Sequence, residues 1–470
     1  MKSSRVMIAA VKSGSGKTTI TAALLQELLK RRKKVISFKC GPDYIDPLFH
    51  EKILQIPCRN LDAYFLTPEQ LQEIFKVDQS GQEIAVIEGV MGLYDGLGGI
   101  CEEGSSYHIA KILMTPIILV VDARGMGRSV ISLIAGFLQD DSAHLIKGVI
   151  LNQTSEMFTQ MIRPEIEKRL GIRVYGCLPK QKNLKLESRH LGLVLPEELQ
   201  ALDETLEKAG ALLEEHVEIN EIIKLAEKAE ELPISENSDH LDIEGRVVDN
   251  KKIEAAKSIM SKSGNHVRIA IARDEAFCFY YEDNLRILRN LGAQLVTFSP
   301  IHDRKLPTNV QGLILGGGYP ELYAKELSDN QEMRERIKNA IGSGIPSLAE
   351  CGGFMYLHEH LITESGKRYP MVGVIPAETA YMGKAVRFGY MELTEHQPCF
   401  LPQGTGIRGH EFHYFDSTSN GSDCISRKPV TGRQWACVHE NRNSFWGFPH
   451  LYYASNPAFA EHFVSECMKK

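Results

Sequence analysis

The chain has 470 residues, 43% hydrophobic and 24% charged, the balance of a folded globular protein and enough length for two or three domains. A formal net charge of −6 offers no basic footprint for nucleic acid, and the longest apolar runs, such as residues 116–121, fall far short of the ~20 residues a membrane helix needs. Ten cysteines lie scattered without a CxxC pair or ligand-like spacing to histidine, which argues against zinc and against a disulfide framework; with no cleavable signal pattern at the start, a reducing cytoplasm is the expected compartment.

Short apolar runs at residues 6–10, 35–38, 84–87, 117–121 and 149–151 read as buried strands, each bounded by turn residues, with longer amphipathic pieces between most of them. That alternation predicts a parallel sheet covered by helices over residues 1–195. Leu199, Leu202, Leu206, Ala209 and Leu213 then recur at three- and four-residue steps among glutamates, a helical pattern, and residues 234–265 are polar. Residues 196–265 are accordingly expected to be a helical connector and linker. A second α/β alternation begins at Val267, with strands expected at 267–272, 295–298, 313–315 and 347–349, so 266–470 forms the second domain.

Ser13-Gly14-Ser15-Gly16-Lys17-Thr18-Thr19 sits between the first strand and a helix-like run. That is the placement a phosphate loop requires: glycines let backbone N–H groups curl around phosphate oxygens, the helix N-terminus adds its dipole, Lys17 adds a full charge, and the Thr18 hydroxyl can hold Mg²⁺. The first glycine of the usual motif is replaced by Val11, and Lys12 gives the variant K-x-G-x-G-K-T. Asp43 and Asp46 follow the second strand in a rigid Gly-Pro-Asp turn, while Glu88 ends the strand at 84–87 and Asp95 lies in the glycine-rich loop after it. Ligands of open α/β sheets gather at the carboxyl ends of strands, so these carboxylates converge on the edge that holds the phosphate loop. Singly, each reads equally well as a turn former; together they predict a Mg·ATP site.

In the second domain Ala349-Glu350-Cys351-Gly352-Gly353 places a thiol between a strand and a helix, resembling a nucleophile elbow. Leu315-Gly316-Gly317-Gly318-Tyr319, also just after a strand, can present backbone N–H groups to an oxyanion. A base is needed, and His410, His413 and His450 compete for that role on spacing alone.

These segments, with Arg59-Asn60-Leu61-Asp62, Arg189-His190-Leu191-Gly192-Leu193, residues 274–288 and residues 408–414, resemble the cobyrinic acid a,c-diamide synthase family of corrin biosynthesis over nearly the whole chain. The resemblance implies an N-terminal P-loop ATPase domain like dethiobiotin synthetase and a C-terminal class I, triad-type glutamine amidotransferase domain of flavodoxin-like α/β fold. It implies a ligase that uses ATP and L-glutamine as co-substrates, with Mg²⁺, to turn the a and c carboxylates of a corrinoid into amides. By the same resemblance Ser13 to Thr19 bind ATP and Asn152 reads adenine; Thr18, Asp43 and Glu88 serve the metal. Asp46 and Asp95 face phosphoryl transfer, and Tyr44 and Ile45 lie where the macrocycle approaches. Cys351 is the glutaminase nucleophile, His450 its base, and the Gly317 and Gly318 N–H groups receive the oxyanion. Many relatives carry a glutamate two positions after that histidine; Tyr452 stands there in this chain.

The chemistry explains why both halves are needed. A carboxylate is a poor acyl donor until phosphorylation supplies a leaving group, and ammonia, mostly protonated near neutral pH, must be made locally from glutamine. Hydrogenobyrinic acid and nickel sirohydrochlorin would use the same chemistry as cobyrinic acid. A partition-type ATPase switch, suggested by Lys12, gives no role to Cys351. Oligomeric state, a homodimer included, is open.

Overall fold

Aliphatic runs without polar alternation make strands that must be covered on both faces, and the amphipathic pieces between them supply the cover. The computed structural model describes residues 3–180, 196–232, 241–242, 246–247 and 266–470, and the chain divides into two units, Met1–Arg246 and Val247–Lys470. The Arg189 to Leu193 segment and most of 234–265 lie outside the described residues. Among the described residues no helix is long and apolar enough to cross a membrane.

The first unit runs β1 (Arg5–Ala10), α1 (Lys17–Lys30), β2 (Val35–Cys40), α2 (Ile45–Lys52), β3 (Cys58–Leu61), α3 (Pro68–Gln79), β4 (Ile84–Glu88), α4 (Ser106–Ile112), β5 (Ile117–Asp122), α5 (Ser129–Asp140), β6 (Ile146–Asn152), α6 (Glu156–Leu170), β7 (Arg173–Leu178), α7 (Pro196–His216) and α8 (Ile219–Glu227). Its seven strands pair in the order β3-β2-β4-β1-β5-β6-β7, all parallel. The five expected strands form its centre. The two additional strands, β3 and β7, are the sheet's edges, where Arg59, Asn60 and Arg173 interrupt the apolar run.

The helical segment expected as a connector belongs to this unit. Leu206, Ala209 and Leu213 of α7 are buried in one cluster with Ala22, Leu25 and Leu28 of α1, and Leu202 packs against it. The three- and four-residue spacing that made the segment readable as a helix is the stripe it buries.

The second unit starts with β8 (Val267–Ala272), β9 (Phe277–Phe279), α9 (Glu282–Asn290), β10 (Ala293–Phe298), β11 (Gly312–Leu315), β12 (Gly317–Gly318), β13 (Ser347–Glu350) and α10 (Gly352–Leu357). It continues with β14 (Arg387–Glu395), β15 (Gly406–His413), β16 (Cys424–Arg427), β17 (Gln434–Cys437), β18 (His439–Asn441), β19 (Ser444–Gly447) and β20 (His450–Leu451). The main sheet is ordered β10-β8-β11-β13-β19-β18, parallel except for the β18 edge. A second, antiparallel sheet, β17-β16-β14-β15-β20, has no counterpart in the sequence expectations. Its two long strands mix buried with exposed and polar residues, so they lack the continuous apolar runs of the parallel strands.

Truncating a buried leucine leaves a cavity as well as losing apolar burial. Leu213→Ala is therefore expected to destabilise the first unit by about 2–5 kcal/mol in denaturant unfolding. A free-standing connector would lose almost nothing.

Candidate active sites in the two units

Parallel pairing puts the ends of β2, β4 and β1 side by side, and with them the Asp43 turn, Glu88 and the phosphate loop. The loop turns through Gly14 (φ +74°) and Gly16 (φ +95°) into α1, a backbone that L side chains resist. A β-carbon on Gly16 would stand 2.2 Å from Asn152 Nδ2. Asn152, at the end of β6, donates from that nitrogen to the Ser15 carbonyl (2.8 Å), and its Oδ1 accepts the Gln153 N–H (2.9 Å). The asparagine expected to read adenine thus clamps the phosphate loop with the amide.

The Thr18 hydroxyl donates to Glu88 Oε1 at 2.7 Å, and Lys17 Nζ donates to the Met91 carbonyl. Asp95 Oδ2 accepts the Gly92 N–H at 2.9 Å, which shapes the loop after β4. Asp43 Oδ1 accepts the backbone N–H groups of Ile45 (2.8 Å) and Asp46 (3.3 Å) and so forms the turn that opens α2. Tyr44 is buried and Ile45 half-buried at the same turn. The turn-former reading of Asp43 is met through Oδ1.

Lys39 was not foreseen. It lies near the end of β2, almost completely buried, with Nζ 2.7 Å from Glu88 Oε1 and 2.5 Å from Asp46 Oδ2. The signal was a lone lysine inside the apolar run Val-Ile-Ser-Phe-Lys-Cys, since a buried ammonium needs paired carboxylates. Burial lowers the Lys39 pKa, but Glu88 and Asp46 more than reverse it. Burial likewise raises Asp46, and Lys39 overrides that, leaving its carboxyl below the usual range. In fully buried Glu88 desolvation prevails over Lys39 and pushes the carboxyl up to about 7. Burial, then repulsion from Lys39, brings Lys17 down to about 8. The phosphate lysine therefore sits ready to gain stability from an incoming anion.

In the second unit Cys351 links β13 to α10 at φ +46° and ψ −103°, a strained backbone for a non-glycine residue. Its N–H donates to the Gly447 carbonyl of β19 (2.9 Å), and Gly353 N–H donates to the Gly316 carbonyl (2.9 Å), tying the turn to the glycine loop after β11. The Gly318 nitrogen comes within 3.1 Å of where a β-carbon on Gly352 would stand. A β-carbon on Gly317 would meet the His450 ring at 2.4 Å, so that position must stay bare.

Of the three competing histidines, His450 is the one whose charge the structure couples to Cys351. Burial lowers its pKa, but the Cys351 charge and hydrogen bond, together with Glu350, raise it to about 10. His410 stacks on His450 with ring centres 5.0 Å apart, and its Nδ1 is 3.1 Å from the Tyr281 hydroxyl. Burial and then the neighbouring His450 charge drive its pKa down, so it stays neutral. His413 is committed elsewhere, to the Phe415 carbonyl (2.6 Å) and to Glu411 (3.2 Å). Tyr452, in the place of the expected third carboxylate, donates its hydroxyl to Asp283 Oδ2 at 2.6 Å. It anchors the β20 end to α9.

A phosphate-binding edge in one unit and a thiol–imidazole pair in the other define an ATP-dependent amide ligase that draws its nitrogen from glutamine. Residues 6–194 match the CobQ/CobB/MinD/ParA nucleotide binding domain, and residues 268–456 the CobB/CobQ-like glutamine amidotransferase domain. Proteins named cobyrinate a,c-diamide synthase are 38% identical in Caldanaerobacter subterraneus subsp. tengcongensis, over 98% of each chain, and 38% identical in Thermoplasma volcanium, over 100% of this chain and 98% of that one. A third of that name, from Listeria innocua, is 37% identical over 97% of each. The chain belongs to the cobyrinate a,c-diamide synthase family.

The lowered Lys17 pKa gives a signed prediction. A polyphosphate raises that pKa again, so nucleotide binding takes up protons above about pH 8. Calorimetric titrations with ATP in buffers of different ionisation enthalpy should show uptake growing from about pH 7 to 9. Proton release over that range would refute it.

Proposed function

We propose that the chain amidates the a and c side-chain carboxylates of cobyrinic acid, in cobalamin biosynthesis, through acyl-phosphate intermediates. The reading is carried by full-length similarity to relatives of that name in a chain that holds both a phosphate edge and a thiol–imidazole pair. In the first unit the carboxylate oxygen attacks the γ-phosphorus of ATP and ADP leaves. Lys17 and the loop N–H groups offset the charge on the transferring group, while Asp46 and Asp95 line the transfer path, with Tyr44 and Ile45 toward the macrocycle. Ammonia then attacks the acyl carbon and phosphate departs.

Mg²⁺ fits the hard-oxygen pair made by Thr18 Oγ1 and Glu88 Oε1. Both are hard oxygen donors of the kind Mg²⁺ takes, and they lie 2.7 Å apart. The second Glu88 oxygen, buried, accepts no hydrogen bond. Thr18, Glu88 and Asp43 would hold the ion, which would supply charge neutralisation on the phosphates.

In the second unit the Cys351 thiolate attacks the glutamine amide carbon. The N–H groups of Gly317 and Gly318 receive the oxyanion, and His450 gives its proton to the departing ammonia. Water then releases glutamate from the thioester.

Turnover with glutamine and ATP on cobyrinic acid, hydrogenobyrinic acid and nickel sirohydrochlorin, with products separated by mass, tests the substrate. Preference for cobyrinic acid supports the proposal, and exclusive use of another macrocycle overturns it. Cys351→Ser should abolish glutamine-driven amidation yet leave amidation driven by ammonium salt. Loss of both would assign the thiol to folding.

Asp43→Asn and Glu88→Gln keep size and one acceptor oxygen while removing charge. Each should slow ATP-dependent amidation on the order of a hundredfold with glutaminase activity retained; the melting temperature should hold in Asp43→Asn and fall in Glu88→Gln, which takes one of two carboxylates from buried Lys39. A Glu88→Gln protein with normal amidation would remove the carboxylate from the metal site.

A further inference from the structure

A thiol–imidazole pair needs a third group, because an imidazole that can rotate or change tautomer delivers its proton to the wrong place. The position two residues after His450 does not supply one here, since the Tyr452 hydroxyl is held by Asp283. Side chains from β13, the turn after it and β15 face His450. His410 of β15 stacks on it and is neutral, with its Nδ1 at the Tyr281 hydroxyl. Cys351 faces it from the β13–α10 turn. Glu350, the last residue of β13, places Oε2 3.7 Å from His450 Nδ1, and its Oε1 accepts the Leu451 N–H at 3.5 Å. Tyr453 lies near the carboxylate, and burial keeps its phenol protonated.

We propose that Glu350, the residue immediately before the nucleophile, is the positioning carboxylate that orients His450 and stabilises its protonated form. This rests on the reading of Cys351 and His450 as the glutaminase pair.

The backbone explains how two consecutive residues serve one ring. In a regular strand neighbouring side chains point to opposite faces. The positive φ at Cys351 breaks that alternation and brings thiol and carboxylate to the same imidazole. Glu350 also sits in register with Gly447 across β13 and β19, on the strand that leads directly into His450. Its two oxygens therefore meet the imidazole and the next peptide nitrogen from a fixed strand end.

Glu350→Gln keeps the shape and removes the charge. Its glutaminase kcat should fall ten- to a hundredfold with the KM for glutamine within about twofold, while ammonium-driven amidation persists. Without the carboxylate the imidazolium loses its proton more easily. The alkaline limb of the glutaminase pH profile should therefore move down by about one unit or more. Glu350→Asp, which keeps the charge one methylene further back, should restore part of both. Unmoved kcat and alkaline limb in Glu350→Gln, or a Glu350→Asp protein no better than Glu350→Gln, would overturn the proposal, as would loss of ammonium-driven amidation along with glutaminase. Cys351→Ser is measured alongside: if it keeps glutaminase activity, the underlying pair is wrong. If it loses the activity and Glu350→Gln does not, only the role of Glu350 falls.

Discussion

A parallel sheet sends the carboxyl end of every strand to one edge, and both units are built on that constraint. In the first, it sets the phosphate loop, the Asp43 turn and Glu88 on neighbouring strands β1, β2 and β4. In the second, it sets the glycine loop after β11, the Cys351 turn after β13 and the chain leading to His450 after β19 on three successive strands. Residues far apart in sequence become neighbours because the hydrogen-bond ladders leave them nowhere else to emerge. The helices do the complementary work of covering both faces, and their apolar stripes, α7 included, fix the sheet against which those strand ends are held.

Within the first unit the same edge concentrates charge. Lys39 is enclosed by protein, and an isolated ammonium there would be strongly unfavourable; Glu88 and Asp46 compensate it. One cation shared by two carboxylates leaves them unequal, with Asp46 held ionised and Glu88 near neutrality of charge at ordinary pH. Glu88 is thus poised to respond to another positive group at Thr18. The ionic arrangement links the phosphate loop to the turn after β2 through side chains that touch.

Much of this was legible in the sequence. Continuous apolar runs announced the central strands, and Gly-Lys-Thr between strand and helix announced the phosphate loop, because the local chemistry admits few alternatives. The Cys351 turn was readable for the same reason. Edge strands β3 and β7 and the antiparallel sheet were not, since their residues mix buried with exposed positions or carry charge as loops do. Nor could spacing choose among His410, His413 and His450, which differ only in what they meet through the fold. Lys39 and Glu350 were hidden differently: each lay inside or beside a motif already in view, and its partner was a residue 49 or 100 positions away.

The contact between Gly16 and Asn152 has a consequence for how tightly a nucleotide is held. Because β6 reaches across to hold the Ser15 carbonyl, an internal hydrogen bond fixes part of the loop's curvature. A flexible glycine-rich loop would surrender backbone entropy on closing around its ligand, and that loss would be subtracted from affinity. Here the Asn152 amide supplies part of that ordering from within the protein. The same asparagine thereby converts the stability of the β5–β6 side of the sheet into rigidity at a loop on β1. Loosening β6 would weaken nucleotide binding without any residue that touches the nucleotide being altered.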